Sequence, residues 1–173
     1  MRRVWLAATV VGCSLGLTGA AAANDRLWFG GGVGLSFGTV DWVEIAPLVG
    51  YSVTERLSFG GGVLYRYRED GRLPDSPSTN DYGANVFARY RVGPWLFAHG
   101  EYEHLSYEFV LPDLSKDRDE FDSFLAGPGV YRPIGNRTSF YALGLYNFSY
   151  DDDDLSSPYD DEWVFRVGVS VGF

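Results

Sequence analysis

His104 and Ser106, two positions apart, are the residues whose types and spacing come nearest to a catalytic pair. On a β-strand, side chains two positions apart point to the same side, so an imidazole base could approach a hydroxyl nucleophile. Glu120 follows the serine by fourteen positions and could orient the imidazole. Because a match of so few residues arises often by chance, we keep hydrolysis as a remote alternative.

Two dense groups of carboxylates could bind hard cations through clustered oxygens. One lies within 151–162 and the other within 113–122, where Lys116 and Arg118 interrupt it. Neither has the glycine and the terminal glutamate that an EF-hand calcium loop needs. We therefore predict solvated acidic loops, with no metal site and no cofactor.

The start of the chain has the pattern of an export signal. Arg2 and Arg3 precede the mostly apolar Val4–Leu17, and Ala21-Ala22-Ala23 then provides small residues at a cleavage site. We predict a signal peptide over 1–23 and a mature domain over 24–173.

Cleavage after Ala23 would leave a mature chain without cysteine and therefore without disulfides. The formal charge of the chain is −9. It becomes more negative when Arg2 and Arg3 are removed, and a domain this acidic lacks the basic footprint of a nucleic-acid-binding protein. Lipidation at Cys13 stays open as an alternative, because Val10-Val11-Gly12-Cys13 resembles a loose lipobox.

Beyond the signal, hydrophobic residues recur with a period of two, as on strands whose successive side chains point to opposite faces. No later apolar run approaches the ~20 residues of a membrane helix. The composition includes 22 glycines, 12 tyrosines and 12 phenylalanines, which suits tightly packed strands. The alternating segments are 27–37, 42–52, 57–68, 82–92, 96–109, 121–131, 138–150 and 163–173. We predict an all-β protein, an eight-stranded antiparallel up-and-down transmembrane β-barrel.

The connections between these segments support a barrel in an outer membrane, where short turns alternate with longer outer loops. The short links are 53–56, 93–95 and 132–137, and the long ones are 69–81, 110–120 and 151–162. The first outer connection, near 38–41, departs from this pattern because it is short. Pro47 cannot donate to a strand ladder, so we expect a bulge there. Aromatic residues near the strand ends are expected to form interfacial girdles. They are Trp28, Trp42, Tyr51, Tyr65, Tyr67, Tyr82, Tyr90, Trp95, Tyr150 and Trp163.

The last segment alternates apolar and small residues and ends on Phe173, with Val169 and Val171 on the same face. This ending resembles the signature that the outer-membrane barrel assembly machinery recognises. With the glycine-rich Phe59–Gly62 and the strand-like Leu145–Phe148, the mature chain resembles the OmpA-like and OmpX-like superfamily of small outer-membrane β-barrels. The resemblance implies an outer-membrane location, contact with outer-membrane lipid and lipopolysaccharide, and a monomer.

The segment His104-Leu105-Ser106 is also similar to the His-x-Ser pair of the lipid A deacylases, another family of small barrels. Those enzymes have an asparagine after the serine, where this chain has Tyr107, and their pair lies near the end of the chain. Both departures weaken the transfer of that activity, so we expect no enzyme.

Charged residues on the small-residue faces are expected to fill the lumen, where they must be paired or hydrated. They are Glu44, Arg66, Arg68, Arg89, Arg91, His99, Glu101, Glu103 and Arg166. Counting from the turns, we predict a cluster of Glu44, Arg66 and Arg166, and a diagonal contact of Glu101 with Arg89. We interpret these charges mainly as electrostatic filling, although OmpA-like interior networks imply a gate.

We therefore expect a structural or surface-interaction barrel with a largely plugged lumen. The alternatives are a small gated pore or an OmpW-like channel for hydrophobic ligands.

Overall fold

The computed structural model describes residues 26–36, 40–70, 78–111, 115–151, 158–159 and 162–172. The predicted signal peptide, Cys13 and Phe173 lie outside the described residues. Eight strands are present: β1 (Leu27–Ser36), β2 (Val40–Ser52), β3 (Leu57–Asp70), β4 (Ser78–Arg91), β5 (Leu96–Val110), β6 (Lys116–Pro133), β7 (Thr138–Asn147) and β8 (Trp163–Val171).

Each strand pairs antiparallel with the next, and β8 pairs with β1, so the sheet closes into an up-and-down barrel. This confirms the predicted all-β, eight-stranded architecture. No helix long and apolar enough to cross a membrane occurs among the described residues.

Three short turns join β2 to β3, β4 to β5 and β6 to β7 at one end of the barrel, which we call the turn end. Each turn closes in the same way, because the amide of its first residue donates to the carbonyl of the first residue of the next strand. The three N···O distances, at Val53, Val92 and Ile134, are all 2.9 Å. We call the opposite end the loop end.

Several strands reach further toward the loop end than their hydrophobic pattern predicts. The prediction that 110–120 is a loop is wrong for most of its length, because β6 begins at Lys116 and pairs with β5 from there. Asp117 and Asp119 each accept a hydrogen bond from the next backbone amide, at 2.8 and 2.9 Å. Backbone pairing thus sustains a strand of exposed charged residues that hydrophobic periodicity cannot reveal.

The predicted bulge at Pro47 is wrong. Ile45 pairs with Tyr65 and Leu48 with Gly62, so the register of β2 on β3 is the same on both sides of the proline. The pairs at residues 46 and 47 are missing from this ladder, while Pro47 still stands opposite Gly31 of β1. Pro47 has no backbone N–H to donate, and the two strands accommodate this without the extra residue of a bulge.

Side chains alternate between an apolar outer face and an interior of small, polar and aromatic groups. Large hydrophobic residues exposed on the outside include Val33, Ile45, Val63, Val86, Phe124, Phe165 and Val167. Of the expected girdle aromatics, Tyr51, Tyr65, Tyr67, Tyr82, Tyr90, Trp95 and Trp163 are exposed. Trp28 is an exception, since its indole is fully buried inside the barrel.

Trp28 fits inside because its neighbour on β2 is Gly50. A Cβ atom placed on Gly50 would collide with the Trp28 ring, whereas one placed on Gly100 would meet no atom within 4 Å.

We expect Gly50→Ala to lower the free energy of unfolding by about 1–3 kcal/mol, because the overpacked indole would have to shift. Gly100→Ala, the matched control, should leave stability unchanged or raise it by about 0.4–1 kcal/mol through the unfolded chain. Urea unfolding in detergent micelles, followed by tryptophan fluorescence, measures both. Equal effects of the two substitutions would contradict the packing argument.

Candidate functional site: charged groups across the lumen

Arg166 of β8 forms ion pairs with two carboxylates of β5. Its guanidinium donates to Glu101 Oε1 and, at 2.7 Å, to Glu103 Oε2. β8 and β5 are not neighbours in the sheet, so these bonds span the lumen. The two glutamates are almost fully buried, at 3% and 1% exposure. We call Arg166, Glu101 and Glu103 the transverse strut.

A second chain of hydrogen bonds leads from the strut toward β4. Arg89 Nε donates to His99 Nδ1 at 3.1 Å, and His99 Nε2 lies 2.9 Å from Glu101 Oε2. Since Nδ1 accepts, the proton of a neutral imidazole is on Nε2 and is donated to the carboxylate. The predicted diagonal proximity of Arg89 and Glu101 therefore takes the form of a relay through His99.

Arg89 also lies within a cage of aromatic rings. Its guanidinium carbon is 4.8–5.2 Å from the ring centroids of Trp28, Phe87, Phe97 and Tyr141. The side chain is 2% exposed. Ring faces attract a cation most strongly when it is removed from water, so this cage partly offsets the cost of burying Arg89.

Glu44 and Arg66 lie face to face on β2 and β3, as the register estimate predicts. Glu44 Oε2 accepts hydrogen bonds from Arg66 Nε at 3.0 Å and from Nη2 at 2.7 Å. The predicted cluster of Glu44, Arg66 and Arg166 forms without Arg166, because Arg166 donates its hydrogen bonds to glutamates of β5 instead. A long arginine side chain reaches across so narrow a barrel, and register counting on neighbouring strands cannot show this.

Tyr159 enters the lumen from the connection between β7 and β8. Its hydroxyl donates to Glu103 Oε1, the glutamate that also accepts from Arg166. Burial, followed by the charge of Glu103, raises the pKa of the Tyr159 phenol above its usual value. The folded state therefore favours the neutral phenol.

A pH dependence follows from this raised pKa. The contribution of Tyr159 to stability is fully present below about pH 10, the ordinary pKa of tyrosine, and is lost as the pH rises above it. Tyr159→Phe should lower the free energy of unfolding by about 1.5–3 kcal/mol at neutral pH, the value of a hydrogen bond to a charged acceptor. The difference from wild type should shrink above pH 10.

Urea midpoints between pH 7 and pH 11 test this expectation, with Tyr51→Phe as the control at an exposed tyrosine. A difference between wild type and Tyr159→Phe that stays constant across this range would refute the titration of Tyr159.

A separate cluster closes the lumen at the loop end, around Arg68. Arg68 lies 3.4 Å from Asp81, donates to the Tyr107 hydroxyl, and donates at 2.8 Å to the carbonyl of Glu108. Asp81 is fully buried. Asp81 is not among the predicted lumen residues, because 69–81 is predicted to be a loop. The signal that could have found it is the alternation of the buried Thr79 and Asp81 with the exposed Tyr82.

The proposed nucleophile–base pair does not form. His104 Nδ1 lies 2.8 Å from Asp122 Oδ1, on the outer face of the barrel, so its hydrogen-bond partner is Asp122 and not Glu120. Ser106 Oγ accepts from Arg118 at 3.3 Å. Among the described residues, no hydrogen bond joins His104 to Ser106.

The described part of the chain contains no group of three or more His, Cys, Asp or Glu side chains that could hold a metal ion. Most of the acidic run within 151–162 lies outside that part.

The rest of the described lumen contains apolar and aromatic side chains and a cavity. A core of Phe97, Leu125, Tyr131, Tyr141, Leu143 and Leu145 fills the side formed by β5, β6 and β7. The cavity has a volume of about 460 Å³ and lies against Arg66, Arg166, Tyr159 and Phe87.

A structure search identifies the N-terminal β-barrel domain of Pseudomonas aeruginosa OprF as similar to this chain. The match has a TM-score of 0.50 and 13% identity, and covers 86% of this chain and 97% of that domain. No protein-family model and no curated protein matches the chain. At this identity the likeness shows the fold alone, and it agrees with the predicted β-barrel architecture.

Proposed function

We propose that this chain is an integral outer-membrane barrel with a structural or surface-interaction role, and that its lumen is closed to ions. The outer face supports the membrane location, because large apolar side chains cover it and exposed aromatics lie toward both ends, as in outer-membrane barrels. Pairing of β8 with β1 closes the sheet and gives part of each of these edge strands the backbone partners that hydrocarbon requires.

The observation that carries the closed lumen is the transverse strut. Arg166, Glu101 and Glu103 join opposite walls of an eight-stranded barrel, whose interior has room for side chains or one small ligand. Tyr159 adds a fourth group to the strut. Water and ions would have to displace these paired groups in order to pass.

If the lumen is closed, other molecules contact the protein at the outside of the barrel. The proposed partners are outer-membrane lipid and lipopolysaccharide around the apolar face, and the barrel assembly machinery at the end of β8, which Val169, Val171 and Phe173 would address. The charged end of the β5–β6 hairpin carries Lys116 and Arg118, both within 3.4 Å of Glu108 oxygens, and is the part most suited to surface contacts. We propose that the barrel is a monomer.

A small gated pore is the second candidate, because ion pairs can exchange partners. Glu44 is bonded to Arg66 and lines the same cavity as Arg166, so a shift of Arg166 toward β2 would open the strut. Such exchange would make the conductance depend on Glu44.

Single-channel recording in a planar bilayer tests the proposal. We expect no conductance steps from the mature wild type, and none from Glu44→Ala, because the strut does not include Glu44. Glu55→Ala, in an exposed turn, is the matched control. Steps from the wild type that change in Glu44→Ala but not in Glu55→Ala would overturn the closed lumen in favour of the gated pore.

A further inference from the structure

The barrel is closed incompletely where its first and last strands meet. β1 and β8 share four residue pairs, from Phe29–Val171 to Gly32–Gly168. Toward the loop end, β1 continues on β2 as far as Ser36, and β8 continues on β7 as far as Trp163. Over those described residues β1 and β8 do not pair with each other, and we call this stretch the lateral opening.

The cavity in the lumen extends to the lateral opening. Five consecutive residues of β8, from Trp163 to Val167, line it, although their side chains alternate between the two faces of the sheet. Gly32 and Val33 line it from β1. The cavity therefore lies against the stretch of β1 and β8 that begins where their pairing ends.

The outer rim of the opening is apolar. Val33 and Phe165 are 60% and 77% exposed, and Val167 lies beside them on the outer face. Unpaired backbone groups at a strand edge are costly in hydrocarbon. If the lateral opening lies within the membrane, it therefore has to be filled by another molecule or by water. An alkyl chain would fit between these side chains.

The inner part of the cavity is polar and charged, so an alkyl chain does not suit it. Two of its three arginines are matched by carboxylates, since Arg66 pairs with Glu44 and Arg166 with two glutamates. The third, Arg89, is enclosed by aromatic rings. A charged head group would add a buried charge without a partner, which is strongly unfavourable. An uncharged polar head avoids this cost.

A hydrogen-bond acceptor in the cavity further defines the head group. Asn85 Oδ1 is buried, lines the cavity, and has no hydrogen-bond partner among the described residues. A buried acceptor left unsatisfied costs about 1–3 kcal/mol. A hydroxyl donates a hydrogen bond without carrying a charge and would satisfy this oxygen.

We propose that the lateral opening is a binding site for a single-chain, uncharged amphiphile, with its hydroxyl in the cavity and its alkyl chain between β1 and β8. The cavity volume of about 460 Å³ lies within the range of small-molecule sites. The inference rests on the proposed membrane location, but it does not depend on whether the lumen conducts ions.

Photo-crosslinking tests the site with a 1-decanol that carries a diazirine next to its hydroxyl. The mature protein in lipid vesicles is irradiated with this probe, and the labelled residues are located by mass spectrometry. We expect labelling of the cavity residues Leu48 and Phe87. The corresponding decanoate probe at pH 8 should label them at least about tenfold less, because its charge would be buried unpaired. Equal labelling by both probes, or labels confined to outward-facing side chains, would overturn the proposal.

A disulfide across the opening tests the route. Val33→Cys with Val167→Cys continues the β1–β8 register by one pair, whereas Phe29→Cys with Val171→Cys joins strands that are already paired. Oxidation of the first variant should reduce labelling of Leu48 and Phe87 by about tenfold, since closing the gap removes space for the chain. Oxidation of the second variant should not. A 33–167 crosslink that forms without reducing the labelling would overturn the lateral route.

The same samples separate this proposal from the proposed membrane location. Folded membrane barrels migrate differently on a denaturing gel before and after heating. If the vesicle-bound protein shows no such shift, the membrane location fails. If it shows the shift and its cavity residues remain unlabelled, only the lateral site fails.

Discussion

Replacing Arg166 with methionine is expected to lower the free energy of unfolding by about 3–5 kcal/mol, the cost of breaking a buried ion pair from one side. The substitution leaves Glu101 and Glu103 buried next to each other without their shared cation. Urea titration of the refolded protein in micelles, followed by tryptophan fluorescence and by gel migration before and after heating, measures the loss.

Arg118→Met is the matched control, because Arg118 also pairs with a glutamate, at 3.1 Å, but near the exposed end of the hairpin. Ion pairs in such positions are worth about 0–1 kcal/mol. If Arg166→Met does not fold, the triple variant Arg166→Met, Glu101→Gln, Glu103→Gln should recover folding, because it removes the unpaired charges together. Equal losses for Arg166→Met and Arg118→Met would refute the burial argument, as would a triple variant no more stable than Arg166→Met.

Arg89→Lys is expected to be costly even though it keeps the positive charge. A lysine ammonium cannot lie flat against several rings or donate through a planar fork, so the cage and the bond to His99 would both weaken. Desolvated contacts of a cation with a ring are worth up to about 2 kcal/mol each, so we expect a loss of about 2–4 kcal/mol in the free energy of unfolding.

Arg132→Lys controls for the general effect of exchanging arginine for lysine. Arg132 lies 4.6 Å from the Trp95 ring centroid, and both side chains are exposed. The corresponding loss there should be about 0.5–1 kcal/mol. A comparable small loss for Arg89→Lys would show that the cage contributes no more than a surface contact.

The narrow barrel keeps ionic groups inside in two ways. The strut matches Arg166 with two carboxylates, whereas Arg89 relies on rings and on the imidazole of His99. The two solutions differ in the kind of partner, because Arg166 is paired with carboxylates, whereas Arg89 is surrounded by aromatic rings and an imidazole. The losses in the free energy of unfolding of Arg166→Met and Arg89→Lys would show which of the two arrangements stabilises the barrel more.

The amino-acid sequence by itself determined the architecture of this protein. A period of two over eight segments, separated by polar connections, permits few arrangements other than an antiparallel barrel, because each strand must present one apolar face. The same alternation assigned Glu44, Arg66, Arg89, Glu101 and Arg166 to the interior. Turn positions also fixed the pairing of Glu44 with Arg66, since the partners of a short hairpin can be counted outward from its turn.

The tertiary structure alone decided which interior groups meet across the lumen. Arg166 binds β5 because long side chains reach over the narrow barrel, and a distance across the interior has no counterpart in sequence spacing. Tyr159 joins the same glutamate from a connection without any periodic pattern. The gap between β1 and β8 depends on where two strands far apart in the chain stop pairing, which is settled by the closure of the whole sheet.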